Sequence, residues 1–528
     1  MTSQTENRIR GRAVNSTVIT ALAAGIYVST FYISNNFTML STASVLFVAI
    51  ALTVPIVALV LLSNLVLSAL KREAYADFLA MFICGLFLML ALRVPVFDNQ
   101  FIREIRGQLH GGTWLVAHAI YFIVPAMLIS VIFRKNAGRL TIVLMVMMIT
   151  AVTMGFRGAS LNVPANSAER NLMKISLNHK PNIYLILVDG FASFSYLDEY
   201  GIDVSVFKDQ LLEKDFRLYD DTFANYHATT DSMLSMLDMR HHYYGSTRKF
   251  SEISKSAREV IGGGNNLIRL LKRNGYRTEY VHQGNYLLLQ GCAVDYCFPS
   301  FDAFFGARNV FREILPKVLI GGETGKWEMQ ALGVIKKEIV RRVEPGSKPT
   351  LPRFQYVHIY EPGHAGNDVV GICDEAEELA KYSQKVSDVS IDIVSIVDDI
   401  ILPDPGAVIV ISGDHGPFIT NQCRRKVDLS TPGEYRDRVG AVTAIRWPND
   451  YDGRYDGGIM TNANLFRFLL ASLVDNGAEI LSTRVSDDVF VHGDQGILKI
   501  IGNGQILVPP ETYSMKEMRE FYRQELTH

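Results

Sequence analysis

Apolar positions are distributed unevenly along the chain. No charged residue occurs between Ala13 and Leu70, a stretch long enough for two helical bilayer crossings of roughly 20 residues each. The pattern predicts these at 14–33 and 44–66, joined by an uncharged turn around Asn35, Asn36 and Thr38. Three further apolar runs cover 78–92, 114–133 and 140–156, the last bounded by Arg139 and Arg157. A cleaved leader is disfavoured, because the first run is long and four others follow it. Residues 157–180 are mixed and polar, as expected of a linker at a membrane surface. From Pro181 onward, short apolar runs alternate with longer helical patterns, which predicts a largely parallel sheet covered by helices. The strands are expected at 182–188, 277–282, 354–360, 407–412 and 441–445, and helices at 267–273, 327–342, 375–400 and 463–473. The expected organisation is a five-helix transmembrane domain (1–156), the linker (157–180) and an exported α/β domain (181–528).

Charge adds orientation. Arg8, Arg10 and Arg12 precede the first run, Lys71 and Arg72 follow the second, and Arg134, Lys135 and Arg139 follow the fourth. With five spans these segments share one side, which the positive-inside rule makes the cytoplasm. Everything beyond residue 156 then lies outside the cytoplasm. The chain has 528 residues, too many for one ordinary domain, and a net charge of -2, which marks no nucleic-acid binder. Cys84 lies inside the third run as apolar filler, whereas Cys292, Cys297, Cys373 and Cys423 all fall in the exported part, where disulfides persist. Three pairings are open, and Cys292–Cys297 with Cys373–Cys423 is the expected one. No C-x-x-C pair supports a structural zinc site.

Two strands end in unusual chemistry. Residues 182–188 run into Asp189-Gly190, and residues 407–412 run into Gly413-Asp414-His415-Gly416. Ligands collect beyond the carboxyl ends of parallel strands, so Asp189, Asp414 and His415 are expected at one crevice. Taken singly, each Asp is an ordinary turn cap. Together, two carboxylates and an imidazole suit Zn²⁺ or Mn²⁺ better than Ca²⁺, which takes more oxygen ligands. Thr229 and Thr230 precede an apolar helical pattern (Met233, Leu234, Met236, Leu237), which places one of them at a helix N-terminus. Unpaired backbone N–H groups there favour an anion, and a metal-bound hydroxyl there becomes a nucleophile; the plain alternative is a Thr N-cap. Gly262, Gly263 and Gly264 read as a turn. Gly325-Lys326 fails as a phosphate loop, because Ile320 and Trp327 occupy its required Gly and Ser/Thr positions.

The strand ending in Asp189, the Thr229-x-x-Ser232 segment and Gly-Asp-His-Gly at 413–416 together resemble the alkaline-phosphatase/sulfatase superfamily. The closest likeness is to its bacterial branch of lipid A phosphoethanolamine transferases, lipoteichoic acid synthases and phosphoglycerol transferases. Residues 461–470 are also similar to the segment that follows the metal site in membrane-bound sulfatase-like proteins. The resemblance implies five spans before an exported alkaline-phosphatase-like domain, with Thr229 as nucleophile and Asp189, Asp414 and His415 as its metal partners. It further implies that His358 and His364 lie near the substrate phosphate, His364 with one residue more than the usual spacing. Two departures stand out. No histidine follows Asp414-His415 until His492, which leaves a complete second metal site in doubt and Arg424, in the run Arg424-Arg425-Lys426, as the candidate anion contact. The Cys/Ser-x-Pro-x-Arg motif of formylglycine sulfatases is absent.

The implied reaction takes the headgroup of a phospholipid donor, phosphoethanolamine or glycerol phosphate, onto Thr229 and then onto an envelope glycan or lipid acceptor. Hydrolysis at the same site is the alternative, and a non-catalytic membrane scaffold is a third reading that the presence of all four site residues disfavours. The protein is expected to act as a monomer.

Overall fold

The computed structural model describes residues 3–36, 42–70, 72, 75–97, 112–133, 136–155, 167–242, 258–284, 286–288, 291–299, 329–343, 351–363, 375–419, 431–493, 496–514, 517, 518 and 520. The chain divides into two compact units, an N-terminal helical one and an α/β one.

The N-terminal unit contains α1 (Ser3–Asn36), α2 (Thr42–Ala69), α3 (Ala76–Phe97), α4 (Gly112–Phe133) and α5 (Ala137–Gly155). Small residues let these helices approach closely: a Cβ on Gly25 would lie 2.8 Å from the Thr53 Cα, and one on Gly85 would lie 2.9 Å from the Ala126 Cα. Thr20 and Thr141 share a buried 3.0 Å hydrogen bond between α1 and α5. The large apolar side chains of Leu62, Leu65, Val131, Ile142 and Val146 are instead exposed on the outside of the unit. Among the described residues, Val45–Ala69 alone is long and apolar enough to cross a membrane. Thr17–Ile33, Ala76–Met89, Phe122–Phe133 and Gly138–Ile149 are shorter apolar helices. The five expected helices are present, and one has full span length.

The α/β unit is built on a seven-stranded sheet in the order β2-β7-β6-β1-β5-β3-β4. Its strands are β1 (Ile183–Val188), β2 (Phe216–Tyr219), β3 (Arg277–His282), β4 (Tyr296–Phe298), β5 (Arg353–Ile359), β6 (Val408–Gly413) and β7 (Thr443–Arg446). Pairing is parallel from β6 through β4 and antiparallel where β7 joins β6 and β2, so the sheet is mostly parallel, as expected. The helices that bear on the site and its packing are α6 (Phe194–Glu199), α7 (Thr229–Asp238), α8 (Asn266–Arg273), α9 (Leu332–Val343), α10 (Glu375–Ile401), α11 (Pro432–Val439) and α12 (Asn462–Ala471).

Both faces of β1 are buried, which explains why its sequence is an unbroken apolar run. Ile183, Leu185 and Leu187 pack with Leu234 and Leu237 of α7, Leu267 of α8 and Phe466 of α12. Tyr184, Ile186 and Val188 pack on the other side with Ile335 of α9 and with Tyr382, Val386 and Ile393 of α10. Tyr382 also fixes the turn after β1: its hydroxyl donates to the Gly190 carbonyl at 2.7 Å and accepts from the Ala192 N–H at 3.0 Å. Gly190 has φ +64, and a Cβ there would meet the Gly363 carbonyl at 2.8 Å, so only glycine fits.

The sequence pattern did not anticipate β2, β4 or a second, three-stranded antiparallel sheet of β8 (Val489–Gly493), β9 (Gly496–Gly502) and β10 (Gln505–Tyr513). This sheet packs Val489, Val491 and Ile501 against Phe223, Tyr435 and Val439. Cys292 and Cys297 form a disulfide, as expected. Cys373 and Cys423 lie outside the described residues.

Replacing Tyr382 by Phe leaves the Gly190 carbonyl and the Ala192 N–H without their buried partner, at a cost of about 1–3 kcal/mol. The unfolding midpoint of Y382F in denaturant should fall accordingly; an unchanged midpoint would contradict the role given to this hydroxyl.

Candidate metal centre

The site forms where the two central strands end. In register, β1 Val188 pairs with β6 Gly413, so Asp189 and Asp414 leave the sheet side by side. The Gly190 N–H donates to Asp414 Oδ1 at 2.9 Å, which ties the two turns together. His415 follows, fully buried, and its Nδ1 lies 2.8 Å from the Gly416 carbonyl oxygen. A carbonyl can only accept, so Nδ1 carries a proton, and Nε2 is the nitrogen that a cation would meet. Nε2 lies 3.4 Å from Asp414 Oδ2 and 3.8 Å from Asp189 Oδ1.

Thr229 is the first residue of α7. The cap position belongs to Ala228, and no side chain caps this helix, so the Thr229 hydroxyl is not spent on capping. It reaches 3.1 Å from His415 Nε2 instead. The loop before it is held from two directions. Asn225 accepts from the Ala463 N–H of α12 at 2.8 Å and donates to the Asp488 carbonyl beside β8 at 2.9 Å. Asn462 donates to the Gly413 carbonyl at 3.0 Å, so the start of α12 connects the Thr229 loop to the strand that delivers Asp414.

The chemistry of this donor set fits a divalent cation. One ligand atom each from Asp189, Asp414 and His415 lies within 4.8 Å of the others, with all three residues buried. Asp189 Oδ1 and Asp414 Oδ2, the oxygens that face Nε2, have no hydrogen-bond partner. Two buried carboxylate oxygens without donors are costly unless a positive charge lies between them. Accordingly, burial holds the Asp189 carboxyl well above the usual carboxylate range, with Asp414 and Glu361 adding to the shift and Lys385 opposing it.

His358 lies on β5, in register with Leu187, and is fully buried, sharing a 2.9 Å hydrogen bond with the Tyr356 hydroxyl. His364 and Arg424 lie outside the described residues. Sequence reasoning missed His282, which pairs with His358 across β3 and β5, with ring centroids 5.4 Å apart. The signal available was that the strand predicted at 277–282 also ends in a chemistry-bearing residue. Neither His282 nitrogen nor His358 Nε2 has a hydrogen-bond partner. Burial pushes both imidazoles down to about 3.

An α/β sheet that gathers two carboxylates, an imidazole and a helix-terminal hydroxyl beyond its central strands defines a metal-dependent enzyme of the alkaline-phosphatase type. The sequence model of the sulfatase family matches residues 181–473, more than half of the chain, and the protein belongs to that family. Metal binding is a property of its superfamily. No curated protein matches the chain. Among solved structures, the chain is similar to the periplasmic domain of EcEptC from Escherichia coli in complex with Zn, at 10% identity over 62% of this chain and 93% of that one, with a TM-score of 0.39. It is similar to the periplasmic domain of the phosphoethanolamine transferase EptC from Campylobacter jejuni at 13% identity over 55% and 89%, with a TM-score of 0.33. The putative sulfatase yidJ from Bacteroides fragilis gives 11% identity over 66% and 90%, with a TM-score of 0.39.

Two measurements check this site. Asp414→Asn should lower the divalent-metal content of the purified protein, measured by elemental analysis, from near one equivalent to near zero. Full occupancy in that variant would remove Asp414 from the ligand set. In chelator, the unfolded chain protonates His282 and His358 between about pH 6.5 and 3 and the folded chain does not, which lowers stability as pH falls. The raised carboxyls of Asp189 and Asp231 act in the opposite sense, so the test compares a variant with the wild type. Each imidazole contributes up to about 1.4 kcal/mol per pH unit in that window. The slope of stability against pH in H282Q should be less positive than that of the wild type by about one proton in that window; an identical slope would show that His282 is not buried neutral.

Proposed function

We propose that this protein moves the phosphate-linked headgroup of a membrane phospholipid to an acceptor hydroxyl through a phospho-threonine intermediate on Thr229. The observation that carries this reading is the Thr229 hydroxyl, free of any capping role and 3.1 Å from His415 Nε2 beside two unpartnered carboxylate oxygens. An alcohol in that position, and no Cys/Ser-x-Pro-x-Arg motif in the sequence, favours a phosphoryl ester over formylglycine chemistry.

Asp189, Asp414 and His415, with Thr229, would hold Zn²⁺ or Mn²⁺. Such a cation supplies Lewis acidity, lowering the pKa of a bound alcohol and neutralising phosphoryl charge. In the first half-reaction Thr229 Oγ1 forms a bond to the donor phosphorus, the bond from phosphorus to the diacylglycerol oxygen breaks, and the Thr229 proton leaves, in balance, on diacylglycerol. In the second, the acceptor oxygen replaces Thr229 on phosphorus and its proton restores the hydroxyl. His415 keeps Nε2 directed at Oγ1 through its Nδ1 hydrogen bond to Gly416. The helix start at Thr229 offers backbone N–H groups suited to phosphoryl oxygens.

The donor class follows from the N-terminal unit. Its outward apolar side chains suit a bilayer and the charge-free stretch from Ala13 to Leu70 has room for two of the five proposed spans, which would keep the enzyme beside a lipid that never enters water. With five spans, the Lys and Arg pattern supports an α/β unit on the outer side of the cytoplasmic membrane, and the Cys292–Cys297 disulfide fits that compartment. The headgroup is phosphoethanolamine or glycerol phosphate, and the acceptor is an envelope glycan or lipid.

Thr229→Ala should abolish diacylglycerol release from labelled phospholipid while leaving the unfolding midpoint unchanged. Unaltered turnover would exclude Thr229 as nucleophile. In the wild type, release of soluble headgroup at the same rate with and without acceptor would replace transfer by hydrolysis.

A further inference from the structure

We infer that Phe418 is a positioning residue for the His415 imidazole, holding the ring plane in which Nε2 meets a cation. The inference rests on the reading of Asp189, Asp414 and His415 as metal ligands. The Phe418 ring lies against that of His415 with centroids 4.9 Å apart and planes inclined by 12°. The guanidinium of Arg438 sits 4.4 Å over the Phe418 ring. Arg438 is largely buried, its Nε makes no hydrogen bond, and the ring is an electron-rich surface for its charge.

The backbone shows that this placement is imposed. Phe418 has φ +61, the left-handed region, which costs a residue with a Cβ about 1 kcal/mol or more. A turn that needed only this conformation would be served at lower cost by glycine. The turn is suspended from the end of α11: Gly416 N–H donates to the Arg438 carbonyl at 3.1 Å, Phe418 N–H to the Asp437 carbonyl at 3.1 Å, and Ile419 N–H to Asp437 Oδ1 at 2.8 Å. Asp437 is itself held by the Tyr196 hydroxyl at 2.8 Å. The Gly416 carbonyl fixes one edge of the imidazole, and a hydrogen bond at one edge still allows the ring to tilt. The stacked Phe418 ring restrains that tilt, and tilting is what would swing Nε2 away from Asp189 Oδ1 and Asp414 Oδ2.

The test measures Zn²⁺ affinity of the full-length protein in detergent, by competition with a chromophoric chelator, together with the melting temperature of the metal-free form. F418L and F418G should bind Zn²⁺ about 10- to 100-fold more weakly than wild type, the range found when groups that orient a ligand are lost. F418Y, which keeps the ring, should restore wild-type affinity. F418L and F418G should lose affinity alike although their metal-free melting temperatures differ, because glycine relaxes the left-handed conformation and leucine does not. Wild-type affinity in F418L and F418G, or a loss in F418Y equal to that in F418L, would overturn the inference. Failure of the wild type to bind Zn²⁺ would instead overturn the metal reading beneath it.

Discussion

The arrangement depends on one electrostatic constraint: two carboxylate oxygens are buried close together, next to an imidazole nitrogen. Asp189 Oδ1 and Asp414 Oδ2 have no donor, and His415 Nε2 is directed at both from 3.8 and 3.4 Å. Left to themselves these groups repel or protonate, which is what the raised carboxyl of Asp189 expresses. A divalent cation turns the same atoms into a favourable site, and the surrounding fold can be understood as the means of bringing them together. The fully buried β1 and β6 deliver the carboxylates, and the bonds through Gly190, Asn462 and Asn225 fix the turns and loop around them.

Strain and satisfaction are divided between the site and its support. Polar groups that position the site are hydrogen-bonded: both sides of the Asn225 amide are paired, and Tyr382 uses its hydroxyl as donor and acceptor at once. At the site, Asp189 Oδ1 and Asp414 Oδ2 have no hydrogen-bond partner; other buried atoms without one lie elsewhere in the fold, on Tyr184, Gln355 and Arg438 for example. What sets the two carboxylate oxygens apart is that they lie close to each other and to the His415 imidazole, the arrangement a cation would satisfy.

Much of the sheet was legible in the sequence. Continuous apolar runs at 182–188 and 407–412 correspond to β1 and β6, and the residues just beyond them, Asp189 and Asp414 with His415, come together because adjacent parallel strands end at the same edge. The short strands β2 and β4 carried no such signal, since four and three residues are too few for periodicity to register. The C-terminal sheet was missed because β10 contains two prolines and is largely exposed, so its pattern is not that of a buried strand. Contacts set by tertiary packing were invisible as well. Nothing local distinguishes Phe418 as a stacking partner or Asn225 as a clamp, since each acquires its role from residues far away in the chain.

The most direct measurement is anomalous X-ray scattering from crystals of the full-length protein grown with Zn²⁺. The account predicts one strong peak within about 2.0–2.2 Å of Asp189, Asp414 and His415 Nε2, with the Thr229 oxygen beside it. A map with no peak between those side chains, or with Nε2 turned away and its place taken by a hydrogen bond, would contradict it.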